Sequence, residues 1–460
     1  MSARAVVDDR PSGTALIRDA GLLRRHAAGG PRYTSYPTAD SFTTDVSDED
    51  LTAALARSNA GGQGLSLYVH VPFCRQSCHH CACTRVTAEN TRRAEPYLSR
   101  LDREMVLTSR HLDGAREIMQ LHWGGGTPTF LTLDQMSDLI DRLDARFGLS
   151  GSRQRDYSIK VDPREADVFT LRHLQALGFN RLSLSVLDLD PRVQRAINRH
   201  QPRVLTEQLI DEAHRLGFRS LGLELIHGLP RQTRESFAET LEQVIAMAPA
   251  RLSLFHYDHR PERFTAQRRI QAEELPPRGE QLAIIDTALA RLADAGYVHI
   301  GMELFARPED PLAAAQARGL LSRNLNGYSA LAPCDHLGLG VGAQSRLGGI
   351  ATRNPMALDD YEARLDAGQL PVERGRRLTD DDRLRARAIE RLMCDMRLDL
   401  AALGQEFGLD AGAHLSDALA RLASAERDGL VKRRGQRLEV TPTGRLLVHR
   451  LAAAFDARAV

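Results

Sequence analysis

The sequence predicts an α/β protein: an incomplete parallel (β/α) barrel with an N-terminal extension and a C-terminal, mostly helical, winged-helix-like domain. Three observations carry this. Short β-rich runs alternate with helical periodicity six times, and such alternation builds parallel βαβ units. The ends of those runs carry cysteines, glycines and charged residues, and the strand C-termini are where barrels place their chemistry. The rhythm then changes over the last ninety or so residues. A doubly wound open sheet is the competing arrangement.

The first 30 residues show little pattern and are expected to be mobile. Pro31–Pro37 reads as an extended segment, since proline fixes an open backbone. Strands are predicted over Leu65–Val71, Ile118–Trp123, Tyr157–Val161, Arg181–Val186, Ser220–Ile226 and Arg251–Tyr257. Helical patterns cover Ala94–Ser109 and Leu133–Phe147, and Leu282, Ile285, Leu289 and Leu292 mark another. Near the C-terminus Thr379 can cap a helix, with Asp382 three positions on. Leu384, Ala388, Ile389, Leu392 and Met393 then recur at helical spacing. A helix over Leu415–Arg427, a hairpin around Leu430–Thr441 and a last helix from Thr443 complete a helix–hairpin–helix order. The expected domains are an extension over 1–50, the barrel over 51–360 and the helical domain over 361–460.

Composition is that of an ordinary globular chain: 42% hydrophobic, 26% charged, net charge +1 over 460 residues. No global field points to nucleic acid or an anionic membrane. Lys432, Arg433 and Arg434 read as a solvated hairpin tip, too weak a phosphate footprint for DNA. No apolar run is long enough to span a membrane, and the polar first residues do not read as a secretory signal. A reducing, cytoplasmic setting is expected, and a monomer.

Four of six cysteines fall within ten residues: Cys74, Cys78, Cys81 and Cys83. The first three have the spacing C-x3-C-x2-C. Three thiolates can hold three irons of a cubane cluster and leave the fourth iron open to a ligand. Zinc is the rival, because His79 and His80 lie in the same run. Gly124-Gly125-Gly126-Thr127-Pro128 follows a strand and precedes a helix. Its backbone can approach a ligand closely and grip a carboxylate or an amine, although a plain tight turn would use the same residues.

The two motifs together resemble the radical S-adenosylmethionine superfamily. Longer stretches are similar to one family within it, the oxygen-independent coproporphyrinogen III oxidases. These are Tyr68–Cys74, Cys81-Ala82-Cys83, Leu121–Thr129, Val161–Glu165, Gly178–Ser183, Phe305–Pro308, Pro31–Pro37 and Thr441–Leu447. The resemblance covers about residues 30 to 455. It implies removal of two propionate carboxyls from coproporphyrinogen III, giving vinyl groups and CO2. The cofactors it implies are a 4Fe-4S cluster and S-adenosylmethionine, two per chain in the family. The partners it implies are a porphyrinogen substrate and a reducing donor of the flavodoxin or ferredoxin kind.

Carried over by resemblance, Cys74, Cys78 and Cys81 ligate the cluster and Cys83 does not. Tyr68, Gly125, Gly126 and Thr127 touch S-adenosylmethionine, and Arg199 binds the carboxylate of the second. Other cofactor positions depart from the family pattern: Lys160 and Glu224 stand for Glu and Asp, Leu187 for Gln, and His80 for an aromatic. Asp258 and Gln344 fall at backbone-type contacts, and His227 replaces a Tyr. Lys160 cannot accept a hydrogen bond as Glu does, and Leu187 neither donates nor accepts. The chain is therefore expected to hold one or two S-adenosylmethionines. Two rival readings keep the scaffold: a paralogue catalysing methyl or methylene transfer, and a haem-binding protein with His79, His80 or His227 as axial ligands.

Overall fold

The computed structural model describes residues 36–458 except residue 115. The expectations for the first 30 residues and for all but the end of Pro31–Pro37 lie outside the described residues.

Six strand–helix pairs run in series: β1 (Leu65–Val71) and α1 (Glu95–Ser109), β2 (Ile118–Gly125) and α2 (Leu133–Phe147), β3 (Asp156–Val161) and α3 (Val168–Ala176). β4 (Arg181–Leu187) and α4 (Arg203–Arg215), β5 (Ser220–His227) and α5 (Arg234–Ala246), and β6 (Arg251–His256) and α6 (Arg278–Asp294) continue the series. Then come β7 (Val298–Gly301), β8 (Leu304–Ala306), β9 (Asp335–Leu339), β10 (Gln344–Leu347), β11 (Ile350–Arg353) and β12 (Arg374–Arg377). All twelve form one sheet in the order β12-β11-β10-β9-β1-β2-β3-β4-β5-β6-β8-β7. β9 and β1 to β6 are mutually parallel. The order of β1 to β6 never reverses, whereas a doubly wound sheet turns back at a switch point. The sheet is thus an unclosed barrel wall, with an antiparallel extension on each edge.

Local chemistry explains the elements. Thr132 and Gln135 form a reciprocal capping box at the start of α2, Gly148 ends it at φ +70°, and Met136, Leu139, Ile140, Leu143 and Phe147 are buried. Along β3, Tyr157, Ile159 and Val161 are buried, while Asp156, Ser158 and Lys160 are only half-buried on the opposite, inner face. The outer face joins the main hydrophobic core with Leu67, Val69, Leu121, Trp123, Leu182 and Leu223. The inner face is polar and bounds the barrel's interior.

Two expectations are corrected. β2 runs on through Gly124 and Gly125, because both residues stay paired with His70 and Val71 of β1. Leu415–Arg427 is not one helix but the short helices Ser416–Arg421 and Ala423–Arg427, preceded by Ala411–His414. The capping box of Thr379 and Asp382 does open a helix, Asp380–Asp395, as expected. A three-stranded sheet with the hairpin Val431–Arg434 and Arg437–Val440 packs with the C-terminal helices around a second core. Among the described residues no helix is long and apolar enough to cross a membrane.

Candidate active site

A cavity of about 430 Å³ opens at the C-terminal ends of β1 to β6. Cys74, Cys78, Cys81 and Cys83 all line it, together with His80, Gly125, Gly126, Thr127, Lys160, Leu187, Arg199, Glu224 and Asp258. Residues from the ends of β2 to β6 thus meet those of the loops that follow the strands, as a barrel mouth requires. Tyr68 and Gln344 are not in the wall. Tyr68 lies behind it, its hydroxyl 3.2 Å from His70 Nδ1 and its ring stacked on His122. Gln344 begins β10, paired with Arg353.

The cysteine loop is fixed by the turn after β4. Ile197 O accepts the His79 N–H (2.9 Å), and Asn198 Nδ2 donates to Ser77 O (2.9 Å). Asn198 adopts φ +53°, a conformation Asn tolerates. Arg199 then reaches under the loop to Asp162 (2.8 Å) and the Ser185 carbonyl (2.5 Å). Arg164 binds the same carboxylate at 2.7 Å. Burial works against the charge on Asp162, but Arg199 and Arg164 outweigh it and hold the carboxyl well below its usual range. Both guanidinium groups also face Cys78 Sγ, at 3.5 Å from Arg164 and 3.8 Å from Arg199.

These residues fit a cluster. Cys74, Cys78 and Cys81 line one cavity, and a cubane takes each thiolate at a separate iron. Burial pushes the Cys74 thiol up to about 11, so iron must displace a proton there. Thr127 Oγ1 lies 3.4 Å from that sulfur.

The glycine run works first by close approach. A Cβ on Gly126 would sit 2.7 Å from Phe73 O, and one on Gly125, at φ +103°, would meet the His70 ring at 2.7 Å. The N–H groups of Gly126 and Thr127 donate to Val71 O and Phe73 O, both at 2.8 Å. Those donors are therefore spent on the cysteine-bearing strand end.

Opposite, Lys160 Nζ meets Glu224 Oε2 at 2.8 Å. Burial disfavours the Lys160 charge, yet Glu224 and Cys83 outweigh it and raise its pKa. Leu187, at φ +69°, packs with Val193, Ile197, Leu229, Tyr257 and Ile270 as an apolar wall. His80 is held neutral, down to about 3, by burial and then by Arg199. His227 packs on His256, their ring centroids 4.9 Å apart. Asp258 sits at the rim, paired with Arg260. Sequence reading left Asp162, Arg164 and Ser185 without roles, although Val161–Glu165 stood out as a motif. Ser185 and Gln267, which donates to His80 O at 3.1 Å, gave no signal at all.

Cysteines and glycines converging at the mouth of an unclosed barrel define a radical S-adenosylmethionine scaffold. Residues 68–244 match the radical SAM superfamily model, and residues 378–447 match the HemN C-terminal domain. The chain is 44% identical to an oxygen-independent coproporphyrinogen III oxidase of Pseudomonas aeruginosa and 41% identical to that of Escherichia coli K12. Each alignment covers 95% of both chains. The solved structure of the coproporphyrinogen III oxidase HemN from Escherichia coli, described as a radical SAM enzyme, superposes with a TM-score of 0.89 at 40% identity. It covers 92% of this chain and 97% of that one. The chain belongs to the oxygen-independent coproporphyrinogen III oxidase family.

Proposed function

We propose that the protein oxidatively decarboxylates two propionates of coproporphyrinogen III to vinyl groups, giving protoporphyrinogen IX in haem biosynthesis. The observation that carries this is the convergence of Cys74, Cys78 and Cys81 with Gly125 and Gly126 on one cavity wall, in a chain of this family. Cys74, Cys78 and Cys81 would hold a 4Fe-4S cluster, which supplies one-electron cleavage of bound S-adenosylmethionine to a hydrogen-abstracting radical. For each propionate, one hydrogen atom, CO2 and one electron leave. A one-electron reductant of the flavodoxin or ferredoxin kind and a one-electron acceptor complete the balance. A cytoplasmic setting and a monomeric state belong to the same reading.

The chain's own groups do three things. Arg164 and Arg199 set two guanidinium groups beside Cys78 while Asp162 keeps them in place. The glycine run lets β2 close up against the cysteine loop, which would shape the cofactor's side of the cavity. The apolar wall around Leu187 keeps water from a reactive intermediate. The test is anaerobic reconstitution with iron and sulfide, then incubation with dithionite, S-adenosylmethionine and coproporphyrinogen III. Protoporphyrinogen IX and 5′-deoxyadenosine are expected; 5′-deoxyadenosine without the porphyrinogen product would refute the assignment of substrate.

A further inference from the structure

Lys160 on β3 and Glu224 on β5 reach each other across β4, which lies between them in register. Both oxygens of Glu224 are engaged. Its Oε1 accepts from Ser183 Oγ at 2.9 Å, and its Oε2 accepts from Ser185 Oγ at 2.9 Å and from Lys160 Nζ. Only 13% of its side chain remains accessible, against 35% for Lys160. An ammonium carries three N–H donors. One is spent on Glu224, the only side chain within ion-pair distance of Nζ among the described residues, although Cys83 is near enough to act on its charge. The ion pair therefore turns donors, not acceptors, toward the cavity. The neighbouring cations Arg164 and Arg199 are committed to Asp162.

The residue type is itself informative. Lys160 is one of two lysines in the chain, the other being Lys432, and the rest of the 61 Lys and Arg residues are arginine. A guanidinium at this position would lock bidentately onto Glu224. A compact ammonium on a flexible stem keeps its remaining donors for something else.

We propose that Lys160 is a carboxylate-binding residue of this cavity, its ammonium positioned by Glu224 to receive a carboxylate from a ligand bound beside the cysteine loop. This rests on the function proposed above, where two ligands supply carboxylates: the tetracarboxylate substrate, and the methionyl end of S-adenosylmethionine. Polarity at this wall is then opposite to that of a carboxylate at the same place, which would hold a hydroxyl or an ammonium.

The test measures binding to iron-loaded protein under anaerobic conditions, with two probes: coproporphyrin III, the oxidised and unreactive tetracarboxylate, and S-adenosylmethionine. Losing a charge-assisted hydrogen bond corresponds to about ten- to hundredfold in affinity. Lys160→Met should weaken one probe by that factor, leave the other within about twofold, and so name the source of the carboxylate; Lys160→Arg should recover little of the loss, because its guanidinium would lock onto Glu224. Lys160→Met with Glu224→Gln removes both charges and serves where the single variant does not fold. Unchanged binding of both probes overturns the proposal. So does equal weakening of both accompanied by loss of iron, which marks a structural role. Wild-type protein that makes no protoporphyrinogen IX while Lys160→Met still loses S-adenosylmethionine binding would fail the proposed function and leave this inference standing.

Discussion

Arg199 Nη1 lies 2.8 Å from Asp162 Oδ2 and 3.8 Å from Cys78 Sγ, so one guanidinium joins the end of β3 to the cysteine loop. The contact is only 4% exposed at Arg199. Removing one partner of a buried pair costs about 3–5 kcal/mol, less what a remaining partner retains. Here Arg164 remains. Arg199→Met should therefore lower the denaturation midpoint of the iron-loaded protein and loosen the cysteine loop, seen as faster iron release to a chelator. A variant with unchanged midpoint and unchanged iron release would show that Arg164 alone suffices.

Cluster ligation should separate the four cysteines. Single Ala substitutions at Cys74, Cys78 and Cys81 are expected to abolish the brown colour and the stoichiometric iron and sulfide. Cys83→Ala should retain both. If Cys83→Ala also loses its iron, the ligand set drawn here is wrong.

Gly126 tests the close approach of β2 to the cysteine loop. An Ala there puts Cβ against the Pro72–Phe73 backbone, at 2.7 Å from Phe73 O, where nothing flexible can yield. Gly126→Ala should displace the loop and weaken S-adenosylmethionine binding by about tenfold or more, a loss of about 1.4 kcal/mol or greater. Gly151→Ala is the control, since no atom lies within 4 Å of a Cβ there. Calorimetric titration of both variants decides it, and equal affinities would count against the steric argument.

How much of this was legible in the chain differs from residue to residue. The six parallel strands showed themselves because each is an apolar run followed by a helical period, and the cysteine loop because ligand spacing is local. β9 left little trace. It is five residues long with Gly338 inside it, yet it pairs in parallel with β1, some 270 residues earlier, and completes the wall. Such pairing is set by the fold, not by a neighbouring pattern. Lys160 was visible as a substitution that cannot accept a hydrogen bond. Its bond to Glu224, two strands away, was not, because that depends on register across β4. Asp162 likewise stood inside a motif, with Arg164 two residues on, but its second arginine, Arg199, becomes a partner only when the turn after β4 folds over the cysteine loop.

Glu104 gives a pH dependence that is independent of the cavity. It lies on α1, 2% exposed, and accepts from Gly340 N, Tyr361 Oη and Asn354 Nδ2, each at 2.7 Å. Burial pushes its pKa up from the ordinary 4.5 to about 7, against the pull of those three donors. The folded protein then holds a proton that the unfolded chain has already released between those two pH values. Stability from this group is complete below about pH 4.5 and declines as pH rises toward 7, with a slope of at most about 1.4 kcal/mol per pH unit. Glu104→Gln cannot titrate, and its amide carries two N–H donors where the protonated carboxyl carries one O–H, so one more donor is left unmatched, at about 1–3 kcal/mol. The variant should be the less stable of the two at pH 5, and its deficit should shrink toward pH 8 as the wild type loses its own advantage. Urea denaturation midpoints at half-unit steps across that range measure this, and a deficit that stays constant with pH would mean Glu104 titrates at an ordinary value.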